Sequence, residues 1–430
     1  MRTLFTYRSK IQPWVIWSVA SLLGLFTFLL QGTPSVMIPD LQAVYQIDTS
    51  EIGVLTSSFF YTYILMQVPS GMLVDRWGPR PILLIGFILA SISIAWFALS
   101  QFFWEGQIAR MIMGIATAPA IICGLYLVSR WFKPYLFVFL VCVTEFIVLF
   151  GGVIGEGGVA MSVVALGWRQ TMLIIAGTGL FMTILISFFI YDFAKKKEQL
   201  LARKASFRTT IKKTKQNFIQ IISIPQVWMN GIYSGLIFGV FPALAALWGV
   251  PFISDTYGVD IETSALAAST FFIGACVGTL TLGSLSFLIK NRRLILIMGS
   301  TLAFITSIAI IYLKGVPLPA MFVLFFLIGI FSSTYAISFT IVADYVPNRV
   351  KGIAMGFTNM LCLSIGAPIL QPLIGFLLEW SGRIRGENDL TTYIPQDYAI
   401  AFTPLPICIA ASFILALFIK EPKPKSLFKI

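Results

Sequence analysis

Residues 44–60 read VYQIDTSEIGVLTSSFF, and residues 256–272 read TYGVDIETSALAASTFF. Laid together without a gap, they match Tyr45 with Tyr257, Asp48 with Asp260, and Phe59-Phe60 with Phe271-Phe272. The offset of 212 residues holds further along, setting Gly71 against Gly283 and Arg80 against Arg292. A chain that repeats at half its length predicts two copies of one unit, here an N-terminal half at 1–191 and a C-terminal half at 225–430. The stretch between them, 192–224, carries nine Lys or Arg between 195 and 215 and no long apolar run, so it is expected to be a basic linker.

Each half is built of segments suited to lipid. The 430 residues are 58% hydrophobic and only 11% charged, with 38 Phe, too little polar surface to cover soluble cores of that size. Apolar runs long enough to cross the roughly 30 Å hydrocarbon layer as helices recur throughout. They are read at 13–38, 51–73, 80–100, 103–130, 134–163, 168–191, 225–252, 263–288, 293–313, 317–343, 352–380 and 398–419. The expected fold class is therefore all-α integral membrane, with twelve transmembrane helices in two pseudo-symmetric six-helix halves. The first run follows basic residues as a signal peptide does, but its length and the lack of a small-residue cleavage site predict a retained span. Cys123, Cys142, Cys276, Cys362 and Cys408 lie apart within apolar runs, which suggests neither a disulfide framework nor a zinc cluster.

Most of the 30 Lys and Arg fall in the termini, the linker and alternate loops, among them Arg2, Arg8, Arg76, Arg80, Arg130, Lys290 and Arg349. The intervening loops are poor in cations and hold acids such as Asp40, Asp48, Asp255 and Asp260. The positive-inside rule then puts both termini in the cytoplasm. Because the net charge of +12 is spread over short loops, anionic lipid headgroups are the expected partners, and nucleic acid is not.

Between the second and third runs stands SGMLVDRWGPR, residues 70–80. Its Gly71, Asp75, Arg76, Gly78 and Arg80 fill the Gly-x-x-x-Asp-Arg-x-Gly-x-Arg pattern, and the chain resembles the major facilitator superfamily (MFS). ARMIMG, with Arg110 and Gly114, SRWF, with Arg130 and Trp131, and GWR at 167–169 support the likeness, while Pro79 and Pro81 stand where further basic residues are usual. The resemblance implies a conformational latch: Gly71 allowing close helix approach, Gly78 a tight turn, and Asp75 meeting the N-terminal end of a helix in the other half, with Arg76, Arg80 and Arg130 completing a charge cluster. It implies a monomer that moves a small molecule by alternating access, with no cofactor.

Charges inside spans are costly, so those present call for an explanation. Arg110, Glu145 and Glu156 are the candidates for energy coupling. The two glutamates are eleven residues apart, which places them on one face of a helix roughly 16 Å apart. Arg110 and Glu156 fall at similar depth, suiting either a fixed interhelical pair or a switch that exchanges a proton. With no histidine in the chain, a proton relay would use carboxylates, tyrosines or water. Candidates to line a central cavity are Gln31, Tyr61, Tyr63, Gln67, Asn230, Tyr233, Trp248, Tyr335, Asn359 and Gln371, near helix-breaking QGTPS at 31–35, FPAL at 241–244 and GAPILQP at 366–372. The functional expectation is a secondary transporter of the inner membrane, moving an amino acid, nucleoside or organic anion, with proton-coupled uptake favoured. An exporter working by proton exchange and a membrane sensor remain as alternatives, whereas no HExxH motif or histidine base supports an enzyme.

Overall fold

The computed structural model of the protein describes residues 2–132, 134–190, 218–289, 291–347, 350–386 and 393–421. Among the described residues, eleven helices are long and apolar enough to cross a membrane. They are α1 (Ile11–Tyr45), α3 (Pro79–Leu99), α4 (Phe103–Val128), α5 (Val143–Leu166), α6 (Trp168–Phe189), α7 (Pro225–Tyr257), α8 (Ile261–Ser286), α9 (Arg292–Tyr312), α10 (Leu318–Tyr345), α11 (Ile353–Ile384) and α12 (Pro395–Phe418). The twelfth crossing, α2, runs over Thr49–Leu65 and resumes after Met66 as Gln67–Trp77. It is the more polar one because Thr56, Ser57, Ser58, Tyr61, Thr62, Tyr63 and Gln67 all lie on it. Twelve crossings in two six-helix halves make up the fold.

The backbone repeats as the sequence does. Asp48 heads α2, where its N–H donates to Glu51 at 3.0 Å, and Asp260 heads α8, where it accepts from the Thr263 N–H at 3.0 Å. Just before each cap the chain turns through the left-handed region, at Gln46 with φ 53° and at Gly258 with φ 64°. Those two positions are also 212 residues apart, so one turn geometry was kept with Gln in one copy and Gly in the other. The tyrosines that end α1 and α7 brace neighbouring loops in the same manner, Tyr45 with the Ser100 hydroxyl at 2.5 Å and Tyr257 with the Val316 carbonyl at 2.9 Å.

Four crossings change helix type along their length. α1 tightens into a 3-10 turn at Thr33–Met37, and α5, α7 and α11 widen into π-helical turns at Ile154–Gly158, Phe241–Trp248 and Gly366–Leu370. All but the turn in α5 contain a proline, which lacks an N–H and so cannot continue the ladder. These irregular turns coincide with the breaks read from QGTPS, FPAL and GAPILQP, and α5 adds one of its own at a glycine-rich stretch.

The two halves meet unevenly. Call the face at which α1 starts the terminal face. At the opposite face α2 and α11 are in backbone contact: a methyl group placed on Gly53 would come 2.7 Å from the Gln371 carbonyl oxygen, and one on Gly375 would come 2.7 Å from that of Thr49. Midway, the Asn359 amide donates to Gln67 Oε1 at 3.2 Å. About one turn further toward the terminal face, methyl groups on Gly71 and Gly356 would meet nothing within 4 Å. Along α2 and α11 the halves are in tight backbone contact at Gly53 and Gly375 and leave open space beside Gly71 and Gly356.

The proposed linker lies outside the described residues over 191–217. Its last residues do not hang free: Ile221 is buried with Val227, Val342, Val346, Val350 and Phe357, and the Phe218 ring meets that of Phe357 at 5.4 Å.

Candidate functional site

Arg110 is 1% exposed in α4. The regular part of α1 ends at Gly32, so carbonyls in its last turn lack the N–H partners a continuing helix would supply. Arg110 Nη1 donates to one of these, Leu30, at 3.0 Å, and Nη2 donates to the Thr56 carbonyl of α2 at 3.2 Å. The guanidinium also lies 5.1 Å from the centre of the Phe59 ring, on which Tyr63 stacks at 5.5 Å. Its Nε has no hydrogen-bond partner.

Glu156 is fully buried in the π-helical turn of α5, against the broken segment of α1. Ser35 Oγ donates to its Oε2 at 2.7 Å, and the same hydroxyl lies 2.8 Å from the Gly32 carbonyl oxygen. One hydroxyl hydrogen cannot point well at both acceptors. The other carboxyl oxygen, Oε1, has no partner among the described residues, and a methyl on Gly32 would come within 2.9 Å of it.

The pairing of Arg110 with Glu156 considered from depth alone is not formed. Both groups abut α1 within a few residues of its break, but the arginine caps carbonyls while the carboxyl faces Ser35, and no ion pair joins them. Matching depth did not fix which side of α1 each helix occupies.

Glu145, one face of α5 nearer the terminal side, is only partly buried. It accepts the phenol hydrogen of Tyr335 in α10, a direct bond between the halves. Three further cavity candidates also join the halves: Tyr61 donates to the Pro368 carbonyl at 3.2 Å, and Gln67 meets Asn359. Gln371 donates to the Pro242 carbonyl at 2.7 Å and accepts the Trp248 indole N–H at its own carbonyl at 3.1 Å, stitching the irregular turns of α7 and α11 together. Gln31 is buried beside the break in α1. Asn230 and Tyr233 instead serve the core of the C-terminal half. Asn230 donates to the Gln226 carbonyl of its own helix, and the Tyr233 hydroxyl lies 3.0 Å from both the Leu296 carbonyl and the Thr334 hydroxyl.

Of the latch residues, Gly78 turns the chain at φ 80°. Arg80 donates to the Ser187 carbonyl of α6 at 2.7 Å, within its own half, and the Arg130 guanidinium lies over the Tyr126 ring at 5.2 Å. The expected close approach at Gly71 is absent, since a methyl there would meet nothing within 4 Å. The side chains of Asp75 and Arg76 lie outside the described part of the structure.

Some groups that join the halves were missed from sequence. Ser57 donates to the Ala367 carbonyl at 2.5 Å, and Tyr393, just before α12, donates to Thr49 Oγ1 at 2.7 Å. Burial pushes the Tyr393 phenol up to about 12. Asp48 and Arg383 add an exposed ion pair at 3.8 Å on the same face. Ser35 lay in the quoted helix break, so its role was available in principle. Nothing in the local sequence marks Tyr393.

The profile of the Major Facilitator Superfamily matches residues 20–250 and 236–430. The "Uncharacterized transporter YybO" of Bacillus subtilis (strain 168) is 23% identical over 393 residues, covering 86% of this chain and 88% of that one. The "Probable L-galactonate transporter" of Escherichia coli (strain K12) is 24% identical over 367 residues, covering 79% and 77%. Among solved structures, a bacterial homologue of the human lysosomal transporter Spinster, inward-facing and occupied, superposes with a TM-score of 0.74 at 15% identity, over 95% of this chain and 96% of that one.

Proposed function

The chain belongs to the major facilitator superfamily, and from that premise we propose that it takes up a small polar solute across the inner membrane by alternating access, driven by protons. That it is a multi-pass membrane transporter of small molecules follows from the family. The solute, the direction and the driving ion are the proposal. The carrying observation is the wedge between α2 and α11, closed at Gly53 and Gly375 and open at Gly71 and Gly356. With the cation-rich loops on the cytoplasmic side, this is the inward-open member of a pair of states. A second state is reached when the contacts at one face are exchanged for contacts at the other.

Glu156 supplies the seat for the proton. The double contact of Ser35 is attractive on both sides at once when the carboxyl itself donates to Ser35 while Ser35 donates to Gly32, leaving Oε1 as the unbonded carbonyl oxygen of a neutral acid. Burying an ionised carboxylate with one hydroxyl partner would be far costlier. Arg110 of α4, spent on the carbonyls of Leu30 and Thr56, does not neutralise the group. The candidate solutes remain an amino acid, a nucleoside or an organic anion, the last being the class named for the L-galactonate relative.

Counterflow in proteoliposomes tests the transporter reading. Vesicles preloaded with a competent solute accumulate trace label transiently, and protein-free vesicles do not. Absence of counterflow across amino acids, nucleosides and sugar acids would contradict it.

A further inference from the structure

Among the described residues, three charged side chains stand deep in the spans: Arg110, Glu145 and Glu156. They are not equally available to a solute. Arg110 is sealed, with both terminal nitrogens held by carbonyls and one face covered by Phe59. Glu156 is sealed as well, within the turn of α5 and against Gly32. Glu145 alone of the three is partly exposed.

Among the described residues, the titratable groups that sense Glu145 are uncharged tyrosines and cysteines. Its charge acts on Tyr63 of α2, Cys276 of α8, Tyr335 of α10 and Cys362 of α11, so helices of both halves converge on it. Its hydrogen-bond partner is the Tyr335 phenol, and it forms no ion pair with a described residue. A carboxylate in low dielectric without a counter-cation is an unfilled electrostatic demand. An organic anion entering this centre would meet the negative group, and Arg110, the arginine deep in the spans among the described residues, is closed off by carbonyls.

We infer that the transported solute carries a primary ammonium group, received by Glu145 at the junction of the halves in place of the Tyr335 hydroxyl. An ammonium offers three donors and a full positive charge, satisfying the carboxylate better than a phenol does, and the Tyr335 ring beside it is a favourable neighbour for a cation. Because Tyr335 and Glu145 belong to different halves, a solute that takes the carboxylate from the tyrosine also releases one bond across the interface. Recognition is thereby tied to the movement. The inference rests on the transporter reading and narrows its solute class to amines, including zwitterions, against the acid named for the L-galactonate relative.

The test compares matched panels on the full-length protein in proteoliposomes, by counterflow and by ligand-dependent tryptophan fluorescence in detergent. One panel holds the common amino acids, putrescine and glucosamine. The other holds their oxygen counterparts, the 2-hydroxy acids, butanediol and glucose, together with galactonate. At least one amine is transported and its oxygen counterpart is not. Glu145→Gln weakens binding of that amine about tenfold or more, as loss of a charge-assisted hydrogen bond does, and Glu145→Asp, which keeps the charge, retains part of the affinity. Size-exclusion chromatography of each variant separates loss of binding from loss of fold. Transport of a nitrogen-free solute but no amine, or an unchanged affinity in Glu145→Gln, overturns the ammonium inference while the transporter reading stands. Transport of neither panel overturns both.

Discussion

Gly53 and Gly71 lie on the same span, α2, and only Gly53 touches the other half of the molecule. A methyl on Gly53 would press to 2.7 Å from the Gln371 carbonyl oxygen and 2.8 Å from Pro372 Cα, whereas one on Gly71 would meet nothing within 4 Å. A rigid-body wedge explains both. The helices converge at the face away from the termini and diverge beyond Gln67 and Asn359, so one pair of elements records which side is shut.

Gly53→Val puts two methyl groups and a branch point against backbone that has no rotamer to change. Overpacking of this kind costs about 1 to 3 kcal/mol and falls on the state described here, so the variant shifts toward opening at the opposite face. A cysteine at Ser50, labelled from outside intact cells, reacts faster in Gly53→Val than with Gly53 in place. Gly71→Val leaves thermal stability in detergent unchanged, because the site is empty in this state, yet slows transport if α2 and α11 close there during the cycle. Equal labelling rates, or normal transport in Gly71→Val, would count against the wedge.

Tyr393→Phe removes the hydrogen bond to Thr49 that ties the segment before α12 to the N-terminal half. A neutral hydrogen bond contributes about 0.5 to 1.5 kcal/mol, so the shut face loosens modestly and labelling at Ser50 rises a few-fold. The pH dependence has a definite sign. The phenol titrates near 10 in the unfolded chain and at about 12 here, so its contribution is complete below pH 10 and is lost as pH rises toward 12. The ratio of labelling rates in Tyr393→Phe and the unaltered protein, in which the thiolate fraction of the probe cysteine cancels, is therefore flat across pH 6 to 9, and a marked slope in that ratio would contradict this.

Arg110 and Glu156 should behave as neighbours of α1 and not as partners. In a double-mutant cycle of Arg110→Gln and Glu156→Gln, read by thermal stability in detergent, the interaction energy stays below about 0.5 kcal/mol. A directly paired buried arginine and carboxylate would instead give a large favourable coupling, and the double variant would be more stable than either single one.

The family architecture was legible because its signals are local and repeated. Apolar runs mark the spans, the offset that carries Tyr45 to Tyr257 and Gln46 to Gly258 marks the two units, and Pro or Gly within 31–35, 241–244 and 366–372 marks the irregular turns. The site was legible only as an inventory. Depth along a helix follows from residue count, but the rotation of α4 and α5 about α1 does not, which is why Arg110 and Glu156 were matched in height and still face different groups. Tyr393 with Thr49 and Glu145 with Tyr335 join residues far apart in sequence, and no spacing rule announces such contacts. The close approach expected at Gly71 is not made in this conformation.

Charge placement also predicts orientation. Single cysteines at positions 200 and 314, on either side of the inferred bilayer, separate under a membrane-impermeant thiol reagent: Lys314→Cys labels from outside intact cells and Leu200→Cys only after lysis. Asp75→Asn, inserted normally, lowers the transport rate several-fold. The reverse labelling pattern would invert the topology, and a rate matching Asp75 would remove the latch from the mechanism.

In the proposed cycle a proton seated on Glu156 drives a solute through two alternately open states. The measurement that bears on it most directly is accumulation of the identified solute in proteoliposomes, with and without an imposed pH gradient, for the unaltered protein and Glu156→Gln. The account predicts that an inwardly directed proton gradient concentrates solute above the external level in the unaltered protein, while Glu156→Gln still exchanges solute in counterflow but only equilibrates it. Accumulation by Glu156→Gln equal to that of the unaltered protein, or a gradient that changes nothing in either, would contradict it.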